Sequence, residues 1–209
     1  MRHVHFFSLN LLLLTATLFT GCNNEPETPA NLKTDEGVII NNVKWATRNV
    51  SAPGYFTGKP EDSGMFYQWN KKTGWSSSNP IVNSDGNTVW DNTAAAGTTW
   101  DAANDPCPDG WRVPTQDELE SLTKSGSKWT SQNSVNGNTF GGKSNTVFFP
   151  ATGYRGINNG TLGNAGSHGY YWSSSVDSQE IISLYFTDND TRVNNTDPAY
   201  GFSVRCVAK

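Results

Sequence analysis

The chain has 209 residues, a formal net charge of −4 and only 16% charged side chains, with 20 glycines and 8 tryptophans. A mildly acidic chain without a cluster of lysines or arginines lacks the electrostatic footprint of a nucleic-acid partner. Leu and Ile are sparse beyond the first twenty residues. The core must then be built from aromatic plates and short strands, as in loop-rich extracellular domains.

At the N-terminus, Arg2 precedes Phe6, Phe7 and the unbroken Leu11, Leu12, Leu13 and Leu14, and the run ends in Leu18-Phe19-Thr20-Gly21-Cys22. Residues 1–21 have the layout of a secretory signal, and their apolar core is too short to span a bilayer stably. A small residue directly before cysteine resembles the bacterial lipobox, in which Cys22 receives a diacylglycerol and becomes the new N-terminus. Phe19 is atypical for that pattern, and ordinary cleavage would leave Cys22 a free thiol, but an unpaired cysteine suits an exported protein poorly. Two or three acyl chains hold a protein on a membrane without crossing it. Residues 22–36, opening Asn23-Asn24-Glu25-Pro26-Glu27, read as a solvated tether. The early glutamates resemble the surface-export signal of Bacteroidetes lipoproteins, so the expected location is the cell envelope, lipid-anchored at the outer membrane and exposed at the surface.

Residues 37–209 are long enough for one domain with its own core. Val38-Ile39-Ile40, Asn41-Asn42 and Val43-Lys44-Trp45 form a hairpin signal, two apolar runs around residues that tolerate positive φ. From Ser51 to Trp100 the density of Gly, Asn, Ser and Pro predicts long ordered loops around one strand, residues 65–69. Trp100-Asp101-Ala102-Ala103 suggests a short helix. A second begins after Pro114, where Thr115 and Glu118 form a capping box and Leu119 and Leu122 fall on one face, so residues 116–124 should pack against a sheet. Strands are expected at 147–149, 170–172, 181–186 and 202–207, with one face of the 183–187 stretch buried and the other available. Polar turns carrying Ser167-His168, residues 187–191 and residues 193–200 lie between them. One helical region followed by strands points to an α+β domain, with one or two helices, a small twisted and mostly antiparallel sheet, and long ordered loops.

Four blocks carry a resemblance: Cys107-Pro108-Asp109-Gly110-Trp111-Arg112-Val113-Pro114-Thr115, Gly153-Tyr154-Arg155-Gly156, Tyr171-Trp172-Ser173-Ser174, and Gly201-Phe202-Ser203-Val204-Arg205-Cys206-Val207. In this order they resemble the Fibrobacter major paralogous domain family over roughly Gly37 to Val207. The resemblance implies a C-type-lectin-like fold related to formylglycine-generating enzymes and to the variable proteins of diversity-generating retroelements. In such variable proteins the C-terminal strands and loops display changeable side chains between fixed motifs. Here Tyr, Asn, Ser, Thr and Asp crowd the stretch between the last two blocks, the chemistry that antibody loops favour. Alternatively, Asn and Thr there satisfy the backbone of turns.

Cys107 and Cys206 are the even pair left once Cys22 is lipidated, and in an oxidising compartment they read as a disulfide. The rival role, a redox or copper-binding pair as in formylglycine-generating enzymes, lacks a reactive environment. His168 is the sole histidine after the signal, which rules out a histidine cluster and most acid–base schemes built on one. Asp188, Asn189, Asp190 and Asp197 could offer oxygen ligands to calcium, but clustered Asp and Asn in turns usually cap backbone groups, so no metal and no cofactor is assigned. Trp111 and Trp172, inside the motifs, belong to the core. Trp75 and Trp90, in polar loops, are better candidates for a stacking surface than the motif tryptophans, yet burial in the core that supports the loops is the favoured fate of each. Arg155 and Arg205 should make structural hydrogen bonds.

The expected function is recognition of a protein or glycan ligand without catalysis. The residues proposed to contact the ligand are Ser167, His168, Tyr170 and Tyr185, then Thr187, Asn189 and Thr191 on the next turn. Asn194, Asn195, Asp197 and Tyr200 complete the set. A structural or assembly component of the envelope is the alternative, and a steady hydrophobic interface patch would be its mark.

Overall fold

The computed structural model describes residues 32–95, 97–177 and 180–209. The expected signal and the expected lipidation at Cys22 fall outside the described residues. The strands are β1 (Val38–Ile40), β2 (Val43–Trp45), β3 (Phe66–Tyr67), β4 (Gly74–Trp75) and β5 (Trp111–Arg112), followed by helix α1 (Gln116–Lys124). The later strands are β6 (Ser127–Gln132), β7 (Val135–Gly141), β8 (Thr146–Pro150), β9 (Tyr154–Arg155), β10 (Leu162–Gly163), β11 (Gly169–Asp177), β12 (Glu180–Phe186), β13 (Thr191–Thr196) and β14 (Val207–Ala208). Among the described residues the fold is mostly β with one short α-helix, the lower of the one or two helices expected of an α+β domain. Residues Ala102–Asn104 make a single 3-10 turn in place of the first helix.

The expected single sheet is divided into five small ones among the described residues, in the orders β1-β2-β14-β5, β3-β4, β6-β7-β8, β9-β10 and β11-β12-β13. The β1–β2 hairpin turns on Asn41 and Asn42 at φ 49° and 65°, the left-handed pair that a two-residue hairpin loop requires. β14 lies between β2 and β5, with Val207 opposite both Trp45 and Arg112, so the two ends of the domain share one sheet. The remainder of the expected 202–207 strand is broken up. Its residues make bridges at Phe202 and Ser203 instead, and Arg205 turns into the interior.

Helix α1 begins as predicted, with Thr115 accepting from the Glu118 amide and the Glu118 carboxylate accepting from the Thr115 amide. Arg112 grips the same carboxylate with two bonds of 2.8 and 2.6 Å, which fixes the helix start to β5. Leu119 and Leu122 enter a core with Trp45, Phe140, Phe149, Tyr171, Leu184 and Phe186. A second core gathers Phe56, Trp69, Trp111, Trp172, Phe202 and Val204.

Buried polar groups hold the loops where regular structure is missing, because a backbone carbonyl withdrawn from water needs a donor. Arg155, 1% exposed, donates to the carbonyls of Ser76, Ser78 and Gly160 and to Asn79 Oδ1. Arg205, fully buried, donates twice to Asn49 Oδ1 and once to the Ala46 carbonyl, with its guanidinium 4.4 Å from the centre of the Phe149 ring. Burial lowers the Arg205 pKa to about 10. The indoles of Trp69, Trp90 and Trp172 donate to the carbonyls of Ser173, Ile157 and Tyr67. Cys107 and Cys206 form a disulfide across 99 residues with a Cα–Cα distance of 6.1 Å. It ties the middle of the chain to the late strands.

Trp75 and Trp90 take the burial reading over the stacking one: they are 2% and 9% exposed and pack on each other with ring centroids 4.9 Å apart. The stretch 22–36, read as solvated tether, is docked at its end. The Leu32 carbonyl accepts from the Phe56 amide, and Asp35 accepts from Arg48, Thr47 and the Gly37 amide.

Candidate functional site

The three-stranded sheet β11-β12-β13 sorts its residues by face. Cross-strand partners share a face, so Tyr171, Leu184 and Val193 point one way and Tyr170, Tyr185 and Arg192 the other. The first group enters the core beneath α1. The second forms an outer row, in which Tyr170 and Tyr185 stand 5.3 Å apart and the Arg192 guanidinium lies 4.5 Å from the Tyr185 ring centre, paired with Asp190. On β12, the expectation of an available face is met by Tyr185 alone, since Ser183 is as buried as Leu184.

The row continues into a cleft of about 310 Å³ walled by Tyr154, Tyr170, Tyr200 and Phe202, with Asn164, Asn195, Thr196 and Asp197 at its edge. Tyr154 meets Tyr170 at 5.3 Å and 80°, and Tyr200 at 5.4 Å and 87°. Phe202 lies 4.9 Å from Tyr170 and 5.6 Å from Tyr200, and rests on Trp172 at 4.4 Å. Local chain features make this possible. Gly163 pairs with Tyr154 between β9 and β10, and a Cβ there would lie 2.7 Å from the Tyr154 ring, so only glycine lets that ring lie across the strand. Gly169 opens β11 in the same way, since a Cβ would come within 2.0 Å of Phe186.

The cleft joins aromatic walls to a polar edge. Burial pushes the Tyr170 hydroxyl above the ordinary phenol range, and Tyr185, Tyr154 and Tyr200 add to the shift against the opposing hydrogen bond from Asn164 at 3.1 Å. Its phenol therefore stays protonated at neutral pH. Asp197 accepts from the Ala199 amide at 2.9 Å. Larger hollows of about 470 and 490 Å³ lie along residues 83–91 and between Ala95, Gly97, Glu180, Ile181 and residues 195–198, so that Asn195, Thr196 and Asp197 border the second as well as the cleft. The first has one ring in its wall, the nearly buried Trp75, and the second has none.

Of the eleven predicted residues, the structure puts seven at or beside the cleft, three at a separate turn, and Asn194 at neither. Tyr170, Asn195, Asp197 and Tyr200 line the cleft. Tyr185 and His168 join it through ring contacts, His168 lying 6.1 Å from Tyr170 and 5.7 Å from Tyr185. Ser167 follows through its 2.8 Å contact with His168 Nδ1. Asn194 stands opposite Ser183 and gives its amide to the Asn195 carbonyl. Thr187, Asn189 and Thr191 instead sit at the β12–β13 turn around a separate hollow of about 250 Å³ with Trp129 and Asn138. There Thr187 Oγ1 accepts from the amides of Asn189 and Asp190, and Thr191 Oγ1 accepts from Ser127 and Asn138, which are turn-holding roles. Among the described residues no group of three or more His, Cys, Asp or Glu is arranged to hold a metal.

Sequence reasoning missed Tyr154, Asn164, Arg192 and Phe202. Tyr154 and Phe202 lay within blocks read as framework, and Asn164 and Arg192 lay in polar stretches read as loops and turns.

The family described as Fibrobacter succinogenes major domain (Fib_succ_major) matches residues 38–208. The chain belongs to that family. No curated protein and no solved structure matches it.

Proposed function

We propose that this member of the Fibrobacter succinogenes major domain family is an envelope-anchored recognition module, binding an extracellular protein or glycan through its tyrosine-walled face. The observation that carries the reading is the convergence of Tyr154, Tyr170 and the Tyr200–Phe202 segment, three separate stretches, on one cleft. Core tyrosines of this chain are sunk and spent: Tyr67 and Tyr171 are fully buried and donate to the carbonyls of Ser51 and Pro150. Tyr154, Tyr170, Tyr185 and Tyr200 are only half-buried. Tyrosine offers a large contact area with two side-chain torsions to fix, while Asn195 and Asp197 supply adaptable hydrogen bonding.

Binding without catalysis is the reading because the cleft's shifted group, Tyr170, is moved away from neutrality, the reverse of what a general acid or base requires. A lipid on Cys22 and a short tether place the domain on the outer membrane, and the disulfide fits an oxidising compartment. Among the described residues no helix is long and apolar enough to cross a membrane. The domain is proposed to be C-type-lectin-like, with small sheets and long loops on which rim residues can vary. Diversification of the 167–200 segment is part of the proposal. A near-copy of the gene's 3′ end beside a reverse transcriptase, differing mainly at adenines, would support it, and a downstream region without one would remove it.

A permanently docked assembly component is less well supported. Among the described residues the exposed large apolar side chains are Ile39, Val82 and Val89, on two separate stretches, too few for a steady hydrophobic interface. The test is an array of glycans and surface proteins, probed with the mature chain and with a Tyr185→Ala/Tyr200→Ala variant. The variant should lose about tenfold or more in binding to whatever the parent captures, with a melting temperature lower by only a few degrees. Undiminished binding would reject the site.

A further inference from the structure

Resting on that reading of the tyrosine face, we propose that the cleft takes a compact organic cation, such as a trimethylammonium head or the end of a lysine or arginine side chain. Ring geometry is the first ground. Tyr154 stands nearly perpendicular to both Tyr170 and Tyr200, at 80° and 87°, so the walls form a corner rather than a platform. A sugar ring stacks its flat underside on one open face, which a corner does not offer. A compact group meets several rings at once, and ring faces carry the negative lobe of the quadrupole, which attracts cations.

Charge is the second ground. The cleft wall contains one carboxylate, Asp197, and no lysine or arginine. Asp197 is exposed, and apart from the Oδ1 bond to the Ala199 amide it makes no other side-chain hydrogen bond among the described residues. An incoming cation would therefore meet a carboxylate with capacity to spare and no positive charge in the cleft wall, the nearby Arg192 being paired with Asp190. The third ground is internal precedent. The next ring of the same row, Tyr185, already carries a guanidinium, that of Arg192, at 4.5 Å. The row has thus folded around one cation, and the cleft is the adjoining position with its own carboxylate and no cation of the chain's own. Protonated Tyr170 keeps its ring face intact across neutral pH.

The experiment is isothermal titration of the mature chain with four probes: choline, its uncharged carbon isostere 3,3-dimethylbutanol, an acetylated tripeptide with a central lysine, and methyl glucoside. At least one cation should saturate in the millimolar range or below, and the isostere should bind about tenfold or more weakly. Asp197→Asn should weaken the cation severalfold and leave the isostere unchanged, while Tyr200→Ala should weaken it about tenfold. Choline and the lysine peptide distinguish a small-molecule source from a protein one. Equal binding of choline and isostere, or no saturation by either cation up to tens of millimolar, overturns the proposal. If cations fail while methyl glucoside or an array ligand still binds in a Tyr200-dependent way, the cation class falls and the recognition face stands. If nothing engages the face, both readings fall together.

Discussion

Removing the disulfide is the sharpest perturbation of the scaffold that carries the cleft. Cys107 and Cys206 close a loop of 99 residues, and the chain-entropy model gives about 4.7 kcal/mol of stabilisation for a loop of about 100 residues. For a domain of 150–250 residues, 1 kcal/mol shifts the melting temperature by about 2–4 °C, so Cys107→Ser/Cys206→Ser should melt about 10–20 °C below the parent. Cys206 is fully buried in the second core, and two serine hydroxyls there would add to the loss rather than offset it. The assay is thermal unfolding by circular dichroism for parent, parent under reductant and double variant, with thiols counted by alkylation and mass spectrometry. Alkylation of both cysteines in the unreduced parent, or a double variant melting within about 3 °C of the parent, would refute the reasoning.

Arg155→Met should cost about 3–5 kcal/mol, because the carbonyls of Ser76, Ser78 and Gly160 would lose their buried donor; urea unfolding measures it, and a loss under 1 kcal/mol would contradict the role. Burial raises the Glu118 carboxyl pKa, but the bonds from Arg112 and Thr115 outweigh it and leave the group below its ordinary value. Its contribution to stability is then full above about pH 4.3 and is lost as pH falls through the lower folded value. Glu118→Gln should accordingly destabilise at neutral pH, with the gap to the parent narrowing below about pH 4 in an acid titration of stability. Gly163→Ala should displace the Tyr154 ring, weakening ligand capture while leaving α1 and the disulfide intact, as amide and ring proton shifts would report.

Much of this architecture was legible in the residues. The capping box placed α1 with both ends correct because Thr115, Glu118 and the Leu119/Leu122 stripe report local physics. The hairpin at Asn41-Asn42 was legible for the same reason, and the disulfide followed from counting cysteines. The β6–β7 hairpin was missed although Asn133 and Ser134 take left-handed φ of 47° and 66° at its turn. Its flanks carry too few apolar residues to announce strands, and their pairing depends on β8 and on the core behind Phe140. The β13 strand was read as turn because Asn and Thr satisfy either setting, and only the β12 register decides. The cleft was half legible: Tyr170 and Tyr200 stood out among polar turns, but Tyr154 reaches them through the β9–β10 pair and the bridge from Arg155 to Gly201, contacts between distant stretches.

The account depends on the half-buried tyrosines being the surface that a ligand covers. Nitration footprinting by mass spectrometry, with and without a ligand captured on the array, tests this most directly. Tyr154, Tyr185 and Tyr200 should be modified in the free chain and protected on binding, while Tyr55, beside Lys33 on another part of the molecule, reacts equally in both. Protection of Tyr55, with the three cleft-side tyrosines reacting as they do in the free chain, would contradict the assignment.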